Sequence, residues 1–272
     1  MEEQVTRLVN KVWDRYQQTP ASQRLLIAIS GIPGSGKTTL ASLVTRRLNA
    51  IALDSTPAIT ATAPVAAFIP MDGYHLSRAQ LSALPDPTTA HARRGAEFTF
   101  DGHSFLSLVK KLRAPLLPET VTIYAPSFNH AIKDPVQDDI AISSSARICV
   151  FEGNYVTLNK APWREAASMM DELWFVDVDE DVARRRLVER HVRTGVTETA
   201  EEAENRVNEN DLPNGRIITG NKVPGITEVV SSQEDESWEG EGAAVLGQGQ
   251  GQEPRKRELE EAKKVVDGHL GI

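Results

Sequence analysis

A three-layer α/β/α fold on a mostly parallel sheet is what this sequence predicts, on three observations. Residues 31 to 38 read Gly-Ile-Pro-Gly-Ser-Gly-Lys-Thr directly after the apolar run Leu25-Leu26-Ile27-Ala28-Ile29-Ser30. Two further apolar runs end in carboxylates, Phe68-Ile69-Pro70-Met71-Asp72 and Ile148-Cys149-Val150-Phe151-Glu152. Helical and strand-like segments alternate along the chain, as crossover connections in a parallel sheet require.

The octet is a complete phosphate-binding loop, the P-loop of nucleoside triphosphate-binding proteins. Gly31, Gly34 and Gly36 permit torsions closed to other residues, so backbone N–H groups can curl around a polyphosphate at the start of a helix. The expected ATP cradle runs through Gly31, Ile32, Pro33, Gly34, Ser35, Gly36, Lys37, Thr38 and Thr39. Lys37 bridges the outer phosphates in this reading, and the Thr38 hydroxyl meets Mg²⁺, which prefers hard oxygen ligands. A chance glycine-rich turn is the competing explanation, expected roughly once in a hundred chains of this length. Leu40, Leu43, Val44 and Leu48 follow at helical spacing, which supplies the strand–loop–helix setting the motif demands.

Before the first strand, Val5, Leu8, Val9, Val12, Trp13 and Tyr16 fall on one face of a helix over 3–17. Residues 49–64, rich in Ala, Thr and Pro, read as an irregular insertion. A strand over 65–69, a short helix near 77–84, a loop carrying Pro85 and Pro87, and a helix over 102–112 follow. Strands are expected at 120–124, 147–151 and 173–178, with a helix at 161–171 between the last two. Cys149, the single cysteine, reads as an inert core residue.

Glu152, at the carboxyl end of a buried strand, is placed beside the phosphate loop, where it can hold Mg²⁺ through water. The bland alternative is a surface carboxylate ending a strand. Asp72 ends the strand expected next to the loop, where a carboxylate can accept the proton of an attacking alcohol; alone it would be an ordinary turn residue. Arg186, Arg190 and Arg193 share one helical face, while Val182, Leu187 and Val192 are expected to face protein. A mobile arginine face of this kind can neutralise charge spreading over a transferring phosphoryl group. A solvated face paired with Glu180 and Glu189 is the alternative.

The 272 residues and 40% hydrophobic content suit one α/β domain with insertions, or at most two small ones. A net charge of −8 argues against broad nucleic-acid binding, although a local basic face stays possible. No apolar run reaches membrane-spanning length, and Met1-Glu2-Glu3 does not open a leader, so a soluble cytoplasmic protein is expected. The core domain is expected over 1–231, with a lid region at 181–200. Residues 232–253, acidic and then Gly-Gln-rich, read as flexible, with Trp238 an isolated aromatic. Residues 254–272 read as a helical tail through Leu259, Ala262 and Val266. The sequence does not define an oligomeric state.

With these landmarks in this order, residues from about 24 to 220 resemble the phosphoribulokinase/uridine kinase family of P-loop small-molecule kinases. Met71-Asp72-Gly73-Tyr74-His75 is similar to the pantothenate-kinase version of the strand end that carries the family's base. Phe100-Asp101, Tyr124-Ala125-Pro126-Ser127-Phe128-Asn129-His130 and Phe151-Glu152-Gly153 resemble its substrate helix start, acceptor segment and second acidic strand end. Asp181 to Thr194 resembles its arginine-bearing lid.

The resemblance implies catalysis by Asp72, Lys37, Arg186 and Arg190, with Mg-ATP as donor and Thr38 and Glu152 toward the metal. It implies a small hydroxyl-bearing acceptor near Tyr74, His75, Arg94, Asp101, Tyr124 and His130. Tyr74 and His75 are individually weak signals, each more often a packing residue. Asn210-Asp211-Leu212-Pro213-Asn214-Gly215, turn-rich by composition, and Arg93-Arg94-Gly95 suggest a branch that includes uridine kinase-like and fructose-import-linked proteins. The acceptor segment matches neither uridine kinase, phosphoribulokinase nor pantothenate kinase closely enough to carry a substrate over. A GTPase-like switch is disfavoured, since Asn221-Lys222-Val223-Pro224 ends in Pro where a guanine reader has Asp. A nucleotide-binding interaction protein with weak or no kinase activity is the remaining alternative.

Overall fold

The computed structural model describes residues 2–55 and 63–233. Helix α1 (Glu2–Gln18) leads into β1 (Leu25–Gly31), and α2 (Lys37–Ser55) starts inside the glycine-rich octet. Next come β2 (Ala66–Pro70), a 3₁₀ turn (Met71–Tyr74), α3 (Arg78–Ser82), α4 (Pro87–Ala92) and α5 (Gly102–Arg113). A hairpin of β3 (Ile123–Asn129) and β4 (Asp134–Ile142) precedes β5 (Ile148–Glu152), α6 (Trp163–Ala167) and β6 (Glu172–Asp177). Helices α7 (Glu180–Arg193), α8 (Ala200–Arg206) and α9 (Leu212–Gly220), with a π turn over Val207–Asp211, lead to β7 (Glu228–Ser231).

The main sheet has the order β2-β5-β1-β6-β7, and all its pairings are parallel. Its central strands are buried on both faces, so β1 and β5 are apolar nearly throughout. Alternate residues then point to opposite layers. Leu26, Ala28, Cys149, Phe151 and Phe175 join a core cluster with Phe105, Leu108 and Val109 of α5 and Trp163 of α6. Leu25, Ile27, Ile29, Val150 and Trp174 alternate with them and are equally buried, on the face that carries α1 and α2. Burial raises the Cys149 thiol to about 12, as an inert core residue requires.

Several expectations need correction. Residues 49–55 are not part of an irregular insertion but the last turns of α2; Asn49 there accepts from Ala66 N at 2.8 Å and so clips the helix to β2. The expected Pro85–Pro87 loop contains α4, because Asp86 caps its N-terminus through Thr89 N and Pro87 occupies a first-turn position that lacks an N–H partner anyway. The strand expected at 120–124 begins at Ile123 and leaves the parallel sheet altogether, pairing antiparallel with β4. The helix at 161–171 is confined to Trp163–Ala167. Asn210–Gly215 is helical rather than a turn, and Val192 is exposed while Ala183, Leu187 and His191 form the packed face of α7. The expected 232–253 linker, apart from Ser232 and Gln233, and the 254–272 tail lie outside the described residues.

Candidate active site

The octet folds as a tight loop between β1 and α2, with Ser35 N donating to Ile32 O at 3.1 Å. Gly34 and Gly36 take φ of +79° and +85°, where L side chains are strained. Gly31 serves differently from the expectation: its backbone is ordinary, but a Cβ there would sit 2.6 Å from Ser35 Oγ and 2.8 Å from Val176 O. The first glycine is needed for close approach and the other two for torsion.

Parallel register brings the carboxylates to the same edge. Ile29 of β1 pairs with Glu152 of β5, and Glu152 pairs with Pro70 of β2. Glu152 therefore ends the strand beside the phosphate loop, as expected. Asp72 follows β2, one strand further out, which corrects the expectation of direct adjacency to the loop strand.

Glu152 is buried, accepts from Thr38 Oγ1 at 3.0 Å and lies 4.0 Å from Lys37 Nζ. Burial raises its carboxyl to about 7, with the Lys37 ammonium opposing the rise and Asp72 adding to it. Burial likewise draws Lys37 below its ordinary value, against the attraction of Glu152, Asp72 and Asp211, while Arg190 adds to the fall. A desolvated carboxylate beside a threonine hydroxyl is a hard-oxygen pair that a divalent cation would relieve. Among the described residues no group of three or more His, Cys, Asp or Glu could cage a metal. The Thr38 hydroxyl and the buried Glu152 carboxylate fit the protein side of a Mg²⁺ whose other ligands would be phosphate and water.

Asp72 stands in the 3₁₀ turn with its side chain half exposed. Its carbonyl is 2.9 Å from His75 Nδ1. A carbonyl can only accept, and burial lowers the His75 pKa, so His75 is neutral with the proton on Nδ1 and a lone pair on Nε2. The ring lies between Phe100 at 4.0 Å and Phe128 at 4.9 Å, and His130 packs against Phe128 at 5.2 Å.

The other expected acceptor residues are distributed unevenly. Arg94 donates to Leu76 O, Lys133 O and Asp134 Oδ1 and lies over Phe128, tying the 93–95 turn to the hairpin. Asp101 caps α5 through Ser104 N. Tyr124 is exposed on β3, whereas Tyr74 is buried edge-on against Phe105 and acts as core.

Helix α7 packs its Ala183 carbonyl where a Gly34 Cβ would be, at 2.7 Å, so α7 touches the phosphate loop directly. Arg186 donates to Gly34 O at 3.3 Å, Ser232 Oγ at 2.9 Å and Gln233 O at 3.2 Å. Arg190, one turn on, is exposed, and its charge reaches both Lys37 and Glu152. The partners Ser232, His191 and Asp211 escape sequence reasoning, since nothing local marks a hydroxyl 46 residues from Arg186 or a carboxylate 20 residues from His191.

Comparison with known proteins points to one family and one fold. The model of the Phosphoribulokinase / Uridine kinase family matches residues 26–201. An Aspergillus versicolor protein named ATP-dependent kinase-like protein notR' is 54% identical over 154 residues, 57% of this chain and 90% of its own. A Schizosaccharomyces pombe protein provisionally named uridine kinase C227.14 is 41% identical over 201 residues, 74% of this chain and 80% of its own. The crystal structure of a provisionally named fructose transport system kinase from Silicibacter sp. TM1040 aligns with TM-score 0.69 and 28% identity, covering 83% of this chain and 98% of that one. That of YFH7 from Saccharomyces cerevisiae aligns with TM-score 0.72 over 85% of this chain and 99% of that one, at 24% identity.

Proposed function

The chain belongs to the phosphoribulokinase/uridine kinase family, and on that premise we propose that it transfers the γ-phosphoryl group of Mg-ATP to a hydroxyl of a small metabolite. The observation that carries the proposal is the convergence at one sheet edge of the phosphate loop, the Thr38–Glu152 pair and Asp72. Phosphoryl transfer asks a protein mainly for alignment and charge stabilisation, and each of these groups supplies one part.

Lys37 and the loop amides hold the outer phosphates. Mg²⁺, when bound through Thr38 and Glu152, neutralises charge on the phosphate oxygens. Asp72, half exposed at the rim, accepts the proton of the incoming hydroxyl. Arg190 on the lid offsets charge on the phosphoryl oxygens in the transition state. Neutral His75, with its Nε2 lone pair among Phe100 and Phe128, suits an acceptor that offers a further hydroxyl or N–H next to an apolar edge. A polar small molecule such as a nucleoside, sugar, sugar acid or vitamin-like alcohol meets that description.

Incubation of the full chain with Mg-ATP and a panel of such compounds, followed by mass spectrometry, tests the proposal. A gain of one phosphoryl group on a panel member is expected. Mg-ATP binding with no transfer across a broad panel would favour a nucleotide-binding regulatory or interaction protein of the same fold.

A further inference from the structure

The Asn210-Asp211-Leu212-Pro213-Asn214-Gly215 segment has no part in the scheme above, yet it touches α7, the 93–95 turn and the phosphate loop. It lies inside a continuous helical run from Ala200 to Gly220, interrupted by a π turn over Val207–Asp211. Pro213 accounts for the turn locally, because it cannot donate to the Glu209 carbonyl and its ring crowds that position in an α-helix. Such widened turns re-aim the side chains they contain.

Three contacts follow. Asp211 Oδ2 accepts from His191 Nε2 at 2.8 Å, and His191 belongs to the buried face of α7, the helix of Arg186 and Arg190. Asn210 Oδ1 accepts from Arg93 Nε at 3.0 Å, Asn214 Oδ1 from Arg93 Nη2 at 3.1 Å, and Asn210 Nδ2 donates to Arg94 O at 3.1 Å. Gly215 lies so close to the phosphate loop that a Cβ there would be 3.3 Å from Ile32 Cβ. Asn210 and Asn214 are buried, so these amides hold no compensating water-facing alternative. Arg206 and Tyr155 add bonds to the Arg94 and Gly95 carbonyls, which fix the same turn from two sides.

We propose that Asn210 and Asp211 are positioning residues that join the arginine-bearing lid helix to the acceptor-side turn at Arg93–Gly95, so that the lid and the acceptor wall move as one unit across the cleft. The proposal rests on the kinase reading for its purpose but not for its mechanics. A helical segment whose adjacent residues bond α7 on one side and the turn on the other can transmit a displacement of either. The consequence for transfer is that Arg190 comes over the phosphoryl group only when the wall beside the acceptor is in register.

The test is hydrogen–deuterium exchange on the full chain with Mg-AMPPNP, comparing the parent with Arg93→Gln and Asp211→Asn. Arg93→Gln perturbs the turn alone; it is expected to raise exchange in the remote 186–194 amides by about fivefold, the response of a shared opening unit. Asp211→Asn perturbs the lid contact and is expected to raise exchange in 93–96 by a similar factor. Both variants should keep the protection of β1 and β5, and Arg93→Gln, which alters only the turn, should bind Mg-AMPPNP within about twofold of the parent. Changes confined to the neighbourhood of each substitution would overturn the coupling. If Asp211→Asn fails to fold, Arg93→Gln decides alone. Failure of the kinase reading would show separately, as absence of transfer by a parent whose exchange coupling is intact.

Discussion

Glu152 and Asp72 are carboxylates at one sheet edge whose surroundings separate their roles. Glu152 is 5% exposed, and burial lifts its carboxyl to about 7, so the site gains from a cation placed against it. Asp72 has a side chain 50% exposed, open to an arriving hydroxyl. Asp72→Asn keeps size and most hydrogen bonding while removing the proton acceptor, so kcat is expected to fall roughly a hundredfold or more with the Kd for Mg-ATP little changed. Paired measurement on one preparation checks this; a variant whose main defect is nucleotide binding would make Asp72 a metal-coordinating or turn residue instead of the base. Thr38→Ala removes the donor that reaches Glu152 at 3.0 Å, and its expected signature is a higher Mg²⁺ concentration for half-maximal turnover. Lys37→Ala should instead lose turnover at every Mg²⁺ concentration, because the missing charge lies at the outer phosphates.

At the scale of elements, α1 is fastened to the far edge of the sheet by charge as well as by its apolar face. Lys11 and Arg15 both bond Glu172 of β6, and Lys11 and Arg7 bond Glu228 of β7. Burial alone would raise the Glu172 carboxyl; bonds from Lys11, Thr227, Trp174 and Arg15 outweigh it and depress the value from 4.5 to about 2. A depressed carboxylate contributes stability that is present above its unfolded value and lost as pH falls toward the folded one. Glu172→Gln is therefore expected to lower unfolding stability by about 2–3 kcal/mol at pH 7, with the difference from the parent shrinking between pH 4.5 and 2. Chemical denaturation at several pH values checks both the size and the window. The elements legible in the sequence are those with one-sided or continuous apolar patterns, such as α1, β1 and β5. Strand β4 was not legible: Asp-Pro-Val-Gln-Asp-Asp-Ile-Ala-Ile buries only Ile142, so its pairing with β3, not burial, makes it a strand. The phosphate loop and both acidic strand ends could be read because their chemistry is local, whereas the order β2-β5-β1 that separates Asp72 from the loop strand is a property of the whole sheet.

Across the whole molecule, Arg186 and Arg190, which share one face of α7, have different employment. Arg186 is engaged by the Gly34 carbonyl, the Ser232 hydroxyl and the Gln233 carbonyl, so it braces the phosphate loop against the segment leaving β7. Arg190 is exposed one turn further along, with its charge felt by Lys37 and Glu152. Their single substitutions should accordingly part ways. Arg186→Ala leaves a loop carbonyl and a hydroxyl without their shared donor, and is expected to lower the melting temperature by a few degrees and weaken Mg-ATP binding. Arg190→Ala removes a charge that matters most when negative charge spreads over the transferring oxygens, so kcat should fall roughly a hundredfold with melting temperature and Mg-ATP affinity preserved. The readout is a set of three numbers for each variant: melting temperature, Kd for Mg-ATP and kcat. A stability loss in Arg190→Ala with normal turnover would make it a surface ion-pairing residue. The reverse pattern, with Arg186→Ala stable and tightly bound but catalytically inert, would move the transition-state role one turn back along α7.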